Sequence, residues 1–150
     1  MRVHARTFLF AGTVAVCLSS ASALAQNAPG ASVTVEKPKA RTASSGQCRI
    51  LSEGTLMASW GRPDLPLLAF TIGPKATMAD EMHANKAPFT GPGQYPNVIL
   101  AVSLGKTATE EAYGGLGSIT MNPDGHSGTF KTNDGKSSGR FDCGTPPKRS

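Results

Sequence analysis

The sequence is poor in charge, in cysteine and in aromatic side chains that carry a polar group. Of 150 residues, 17% are charged, three are cysteine, one is tryptophan and two are tyrosine. No cysteine sits in a C-x-x-C pair, which excludes the common redox and zinc arrangements of thiols. Beyond Ala25 no apolar run approaches the ~20 residues of a spanning helix, so no transmembrane segment is expected once the start of the chain is removed. Glycine, by contrast, is abundant at 17 residues and proline at 11. That is too much of both for a helical bundle, and it suits short strands joined by turns. A mean hydropathy of −0.18 fits a globular domain.

Met1 to Ala25 has the pattern of a secretory signal peptide. Arg2, His4 and Arg6 precede the apolar run Phe8 to Leu18, and Ala23-Leu24-Ala25 gives small residues at the positions a signal peptidase reads. Cleavage is expected before Gln26. Lipidation at Cys17 is disfavoured because Val16 and Val14 stand where a small residue and a leucine belong. The chain is expected to be periplasmic or secreted. It would mature to Gln26–Ser150 with 13 basic and 10 acidic residues. Of these, Cys48 to Gly144 holds 8 basic and 9 acidic ones. The excess positive charge therefore falls on a flexible leader over 26–47, rich in Ala, Ser, Pro and Lys, and on a basic tail over 145–150. A nucleic-acid partner is excluded on that distribution.

Two cysteines remain after cleavage, Cys48 and Cys143. Export into an oxidising compartment makes a disulfide between them the expectation. Between the two, alternation and turn signals give a single β domain over 48–144. Cys48 to Ser52 and Thr55 to Trp60 flank Glu53-Gly54, Leu67 to Ile72 follows, and Val98 to Leu104 is the strongest strand. Leu116 to Met121, His126 to Thr132 and Ser137 to Cys143 are separated by Asn122-Pro123-Asp124-Gly125 and Asn133-Asp134-Gly135, both turn sequences. The repeat Ser127-Gly128-Thr129-Phe130 and Ser138-Gly139-Arg140-Phe141 puts two phenylalanines on one face of an antiparallel meander. The expected fold is mostly β: a small antiparallel sandwich or barrel of six to seven short strands, closed by one disulfide, with a short helix near 77–86.

Gly91-Pro92-Gly93 with Tyr95, Gly117-Ser118-Ile119, the run Asp124 to Phe130, and Gly139 to Cys143 together resemble a pattern in small exported or lipid-anchored bacterial β-domains. The resemblance covers about Gly91 to Cys143. It implies a β fold and an envelope address, and it brings no catalytic residues.

Catalytic motifs are incomplete wherever they begin. Gly105-Lys106-Thr107 and Gly135-Lys136-Ser137 lack the glycine five residues earlier that a phosphate loop needs, having Leu100 and Phe130 there. Gly125-His126-Ser127-Gly128 lacks the second glycine of a nucleophile elbow, since Thr129 takes its place. Ser103-Leu104-Gly105-Lys106 has no companion S-D-N or K-T-G. Aligned as a calcium loop, Gly125 would put Thr120 and Lys131 at ligand positions. Met78, Met82 and His83, beside Asp80 and Glu81, offer a soft donor set for copper if the segment is helical. Trp60, Tyr95 and Tyr113 are the candidates for a ligand-binding aromatic face.

The reading is an exported envelope protein acting as a non-catalytic binding or interaction module without cofactor, its partner an envelope protein or a glycan. A small envelope enzyme, with His83 or His126 in a Ser-His-Asp set, and a copper-binding protein are the first alternatives. An inhibitor presenting Gly91 to Tyr95 is the second.

Overall fold

The computed structural model describes residues 28–76, 83–107 and 110–149. Ten strands follow in chain order. They are β1 (Ser32–Lys37), β2 (Arg41–Ala43), β3 (Gly46–Ile50), β4 (Leu56–Gly61), β5 (Pro66–Ile72), β6 (Gly93–Ser103), β7 (Ala112–Met121), β8 (Ser127–Thr132), β9 (Ser138–Asp142) and β10 (Lys148–Arg149). All join one sheet in the order β10-β3-β4-β5-β6-β7-β8-β9-β1-β2. Every neighbouring pair is antiparallel except β10 with β3. Residues 77–82 of the expected helix lie outside the described residues, as do the signal segment, Cys17 and the cleavage point.

The mostly-β expectation and the disulfide hold, but among the described residues the strand count rises to ten and no ladder closes the sheet. The sheet curls instead. β1 and β2, at one end of the order, pack against β5 near the other. Inside the curl, the rings of Trp60 (β4), Phe70 (β5) and Phe141 (β9) stack with centroids 5.1–5.8 Å apart. Trp60 Nε1 donates to the Asp142 carbonyl at 3.0 Å, tying β4 to β9 across 82 residues of sequence. Cys48 in β3 bonds Cys143, just past β9, with Cα atoms 5.7 Å apart.

The two large departures from expectation lie at the ends of the chain. Residues 28–47 are not a leader. Ala31, Val33 and Val35 are buried, and β1 pairs with β9, Val33 facing Phe141. Nor is 145–150 a free tail, because Lys148 and Arg149 pair with Arg49 and Ile50 of β3. The physical reason is the same in both places. Ser-Val-Thr-Val alternates with period two, but only two large apolar residues carry the signal within a polar stretch. β10 carries no apolar signal, and its strand character comes from backbone pairing alone.

The Ser-Gly-x-Phe repeat acquires a packing role. Phe130 lies opposite Gly139, and Phe141 opposite Gly128. A Cβ on Gly139 would come within 2.8 Å of the Phe130 ring, and one on Gly128 within 2.8 Å of the Phe141 ring. Gly46 stands in the same relation to Trp60, its partner in the β3–β4 ladder. Each large ring thus lies across a neighbouring strand where the side chain is missing, which is how a narrow interior admits aromatics.

Candidate functional site

The aromatic candidates do not form a ligand face. Trp60 is 1% exposed and belongs to the core. Tyr95 is buried against Phe89, with ring centroids 5.4 Å apart. Its hydroxyl donates to the Gly91 carbonyl at 2.6 Å and accepts from the Thr90 N–H at 3.2 Å, which braces the turn before β6. Tyr113 is half-buried. It donates to the Leu116 carbonyl at 2.6 Å and lines a hollow of about 270 Å³ with Leu104 and Lys136. The copper candidates Met78 and Met82 lie outside the described residues with Asp80 and Glu81, and His83 is exposed. Among the described residues no three His, Cys, Asp or Glu side chains converge on one point.

His126 does find an acid. Its Nδ1 lies 3.0 Å from Asp142 Oδ1, which also accepts the Gly144 N–H at 2.7 Å. This is the acid–imidazole half of a Ser-His-Asp arrangement. Of the hydroxyls in the hollow beside it, Ser127 is the nearest in sequence, and it is engaged elsewhere. Its hydroxyl donates to the Asp124 carboxylate and accepts from Asn122 Nδ2 at 2.9 Å. The same hydroxyl is the main reason that Asp124 is held near pKa 2, below its usual 3.8, with the N–H groups of His126 and Ser127 adding to it. Asp124 is therefore the keystone of its turn, as the Asn-Pro-Asp-Gly sequence predicts.

A pH dependence follows. An unfolded aspartate takes up its proton near 3.8, whereas folded Asp124 does so near 2. The carboxylate bonds stabilise the turn above the higher value and are lost as the pH falls through the lower one. A carboxyl-carbon titration by NMR is expected to give a midpoint near 2 for Asp124. The amides of His126 and Ser127 should lose exchange protection over the same range. A midpoint at the ordinary value with unchanged amides would contradict the assignment.

A larger concavity lies on the seam where the two ends of the sheet meet. The chain leaves β2 at Ala43 and, after Ser44 and Ser45, enters β3 at the opposite end of the strand order. The Ser45 carbonyl still accepts the Gly61 N–H at 3.0 Å, and the Gly46 carbonyl accepts the Ala28 N–H at 3.0 Å. Above Gly61 the β4–β5 turn departs, and the outer edge of β2 has no ladder partner among the described residues. Between them runs a groove of about 570 Å³. One wall is Thr42 to Gln47; the other is Ser59, Gly61, Arg62 and Pro63. A second hollow adjoins it beneath Arg41, Leu65 and Leu67.

Charge is sorted onto the strands at the two ends of the sheet order. Lys37, Lys39 and Arg41 come from the β1–β2 hairpin, Arg49 from β3, and Lys148 and Arg149 from β10. All six are exposed, and none forms an ion pair among the described residues. Glu36 is the one acid on those four strands, and it pairs with Arg140 at 3.8 Å. Arg62 is satisfied by Asp64. The excess charge expected on disordered ends is thus mounted on the folded sheet. Sequence reasoning missed this site because residues 26–47 read as a flexible leader, which left Arg41 and the wall Thr42 to Gln47 outside the expected fold.

No protein-family model, curated protein or solved structure matches the chain.

Proposed function

We propose that this chain is an exported, disulfide-locked, non-catalytic binding module that holds its partner in the seam groove. The signal-peptide pattern of Met1 to Ala25 and the Cys48–Cys143 bridge support the address, since disulfides persist in oxidising compartments. The observation that carries the binding reading is β2, whose unpaired edge borders a hydroxyl-lined concavity of about 570 Å³. Unpaired strand edges are normally covered, blunted or used. A second reading, an inhibitor, is favoured by the loop before β6, which Tyr95 braces while Pro92 to Gln94 stay exposed.

Photo-crosslinking side chains placed singly at Ser44, Gln94 and Ser118 in the exporting cell separate the two. All three positions are exposed. A discrete adduct from Ser44, on a chain whose mass begins at Gln26, is the expected result. An adduct from Gln94 alone would transfer the function to the loop. Equal labelling from Ser118, or no adduct at all, would sink the binding reading.

A further inference from the structure

We propose that the seam groove takes up an extended acidic segment of a partner polypeptide, which pairs with the free edge of β2 as an additional strand. The inference rests on the binding reading above and names the partner's chemistry.

The edge itself argues for a polypeptide. Among the described residues β2 pairs with β1 on one side only, so its other side offers backbone N–H and C=O groups in strand spacing. Another extended backbone matches that alternation of donors and acceptors at strand spacing, whereas the sulfate or phosphate groups of a charged polymer supply acceptors alone. The groove continues the edge through Ser44 as far as Ser45, whose carbonyl is taken by the Gly61 N–H, so the stretch open to a new strand spans Arg41 to Ser44, roughly 13 Å at strand rise. That is long enough for about two ladder bonds.

The charge argues for acidity. Arg41 lies on the edge strand and lines the adjoining hollow without an ionic partner among the described residues. Lys39 stands two positions before it, exposed and likewise without an ionic partner among the described residues. Cations on a free edge discourage pairing with a second copy of the same chain, because each edge would bring its own positive charge to the other. An incoming strand of opposite sign removes that repulsion and gains attraction, which raises the association rate and selects the partner.

The test uses the oxidised mature chain and a blocked nonapeptide alternating glutamate and valine. Its controls are the same peptide with lysine for glutamate, dextran sulfate, and vesicles of anionic phospholipid. Amide hydrogen exchange locates the contact and calorimetry gives the affinity. The glutamate peptide is expected to slow exchange over residues 41–44 and to lose affinity as salt rises. Arg41→Glu should weaken it by about tenfold at unchanged melting temperature, with Arg41→Lys close to the parent protein. Dextran sulfate or vesicles binding as tightly without slowing those amides would replace the proposal with a general polyanion site. Protection over 41–44 in the free protein, together with a dimer in sedimentation, would replace it with self-pairing. A peptide that fails to bind while the Ser44 crosslink persists would overturn this inference and leave the binding function standing.

Discussion

A chain truncated to begin at Gln47 should lose cooperative unfolding altogether. The truncation deletes β1 and β2 and takes away the Gly46 that lies under Trp60. Val33 and Val35 are 1% and 0% exposed, and burial of a valine contributes about 1.5–3 kcal/mol. Phe141 loses its ladder partner Val33, and β9 becomes an open edge. The sum is of order 5 kcal/mol or more, comparable to the whole stability of a typical domain. Removing Thr145 to Ser150 instead takes only β10, two exposed residues, and should cost under about 1 kcal/mol. Urea unfolding followed by far-ultraviolet circular dichroism distinguishes them. A Gln47 chain that keeps a sharp transition at the parent midpoint would mean that β1 is an ornament on the sheet rather than part of its core.

Replacing both bridge cysteines, Cys48→Ser with Cys143→Ser, should lower stability by about 2–5 kcal/mol while leaving the fold intact. The bridge closes a separation of 95 residues, for which the chain-entropy account gives roughly 4–5 kcal/mol. It is not alone in holding the curl. The Trp60–Asp142 hydrogen bond and the ring cluster of Trp60, Phe70 and Phe141 join the same two regions of the sheet. The double variant should therefore unfold cooperatively at lower urea, with Trp60 fluorescence still reporting a buried indole in the native state. Thiol titration of the unfolded parent protein checks the premise. Two reactive thiols in the air-oxidised parent, or a double variant as stable as the parent, would overturn it.

Much of the sheet is legible along the chain because its causes are local. Val98, Leu100 and Val102 alternate, and β6 buries all three. Asp124 and Asp134 each sit before a glycine, and Gly125 and Gly135 adopt φ of 73° and 70°. Asp124 Oδ1 then accepts from the backbone two and three residues on, and Asp134 Oδ1 from that two residues on. Such patterns reach two or three residues and need nothing from the rest of the chain. β1 is illegible by the same criterion, because Val33 and Val35 are too few to outweigh the polar residues around them. Trp60 misleads for a different reason. An aromatic at a strand end before Gly61 suits a binding platform as well as a core, and only the arrival of Phe141 from β9 buries it.

What the sequence determined by itself is the class of fold, the turns that separate its later strands, and the identity of the bridge, since the region outside the signal-peptide pattern holds only two cysteines. Side-chain alternation, backbone constraints at glycine and proline, and a simple count suffice for these. What only the tertiary structure decided is adjacency. The strand order carries the chain from β2 to β3 across the whole sheet in two residues. It sets Trp60 against a carbonyl 82 positions away. It also sets the β1–β2 hairpin against β5 and the turn before it. Pairing between distant strands depends on which of many register choices buries the most apolar surface at once, and no short stretch of sequence holds that information. The groove and its unpaired cations arise from that choice alone, so they became visible only when the ends of the sheet met.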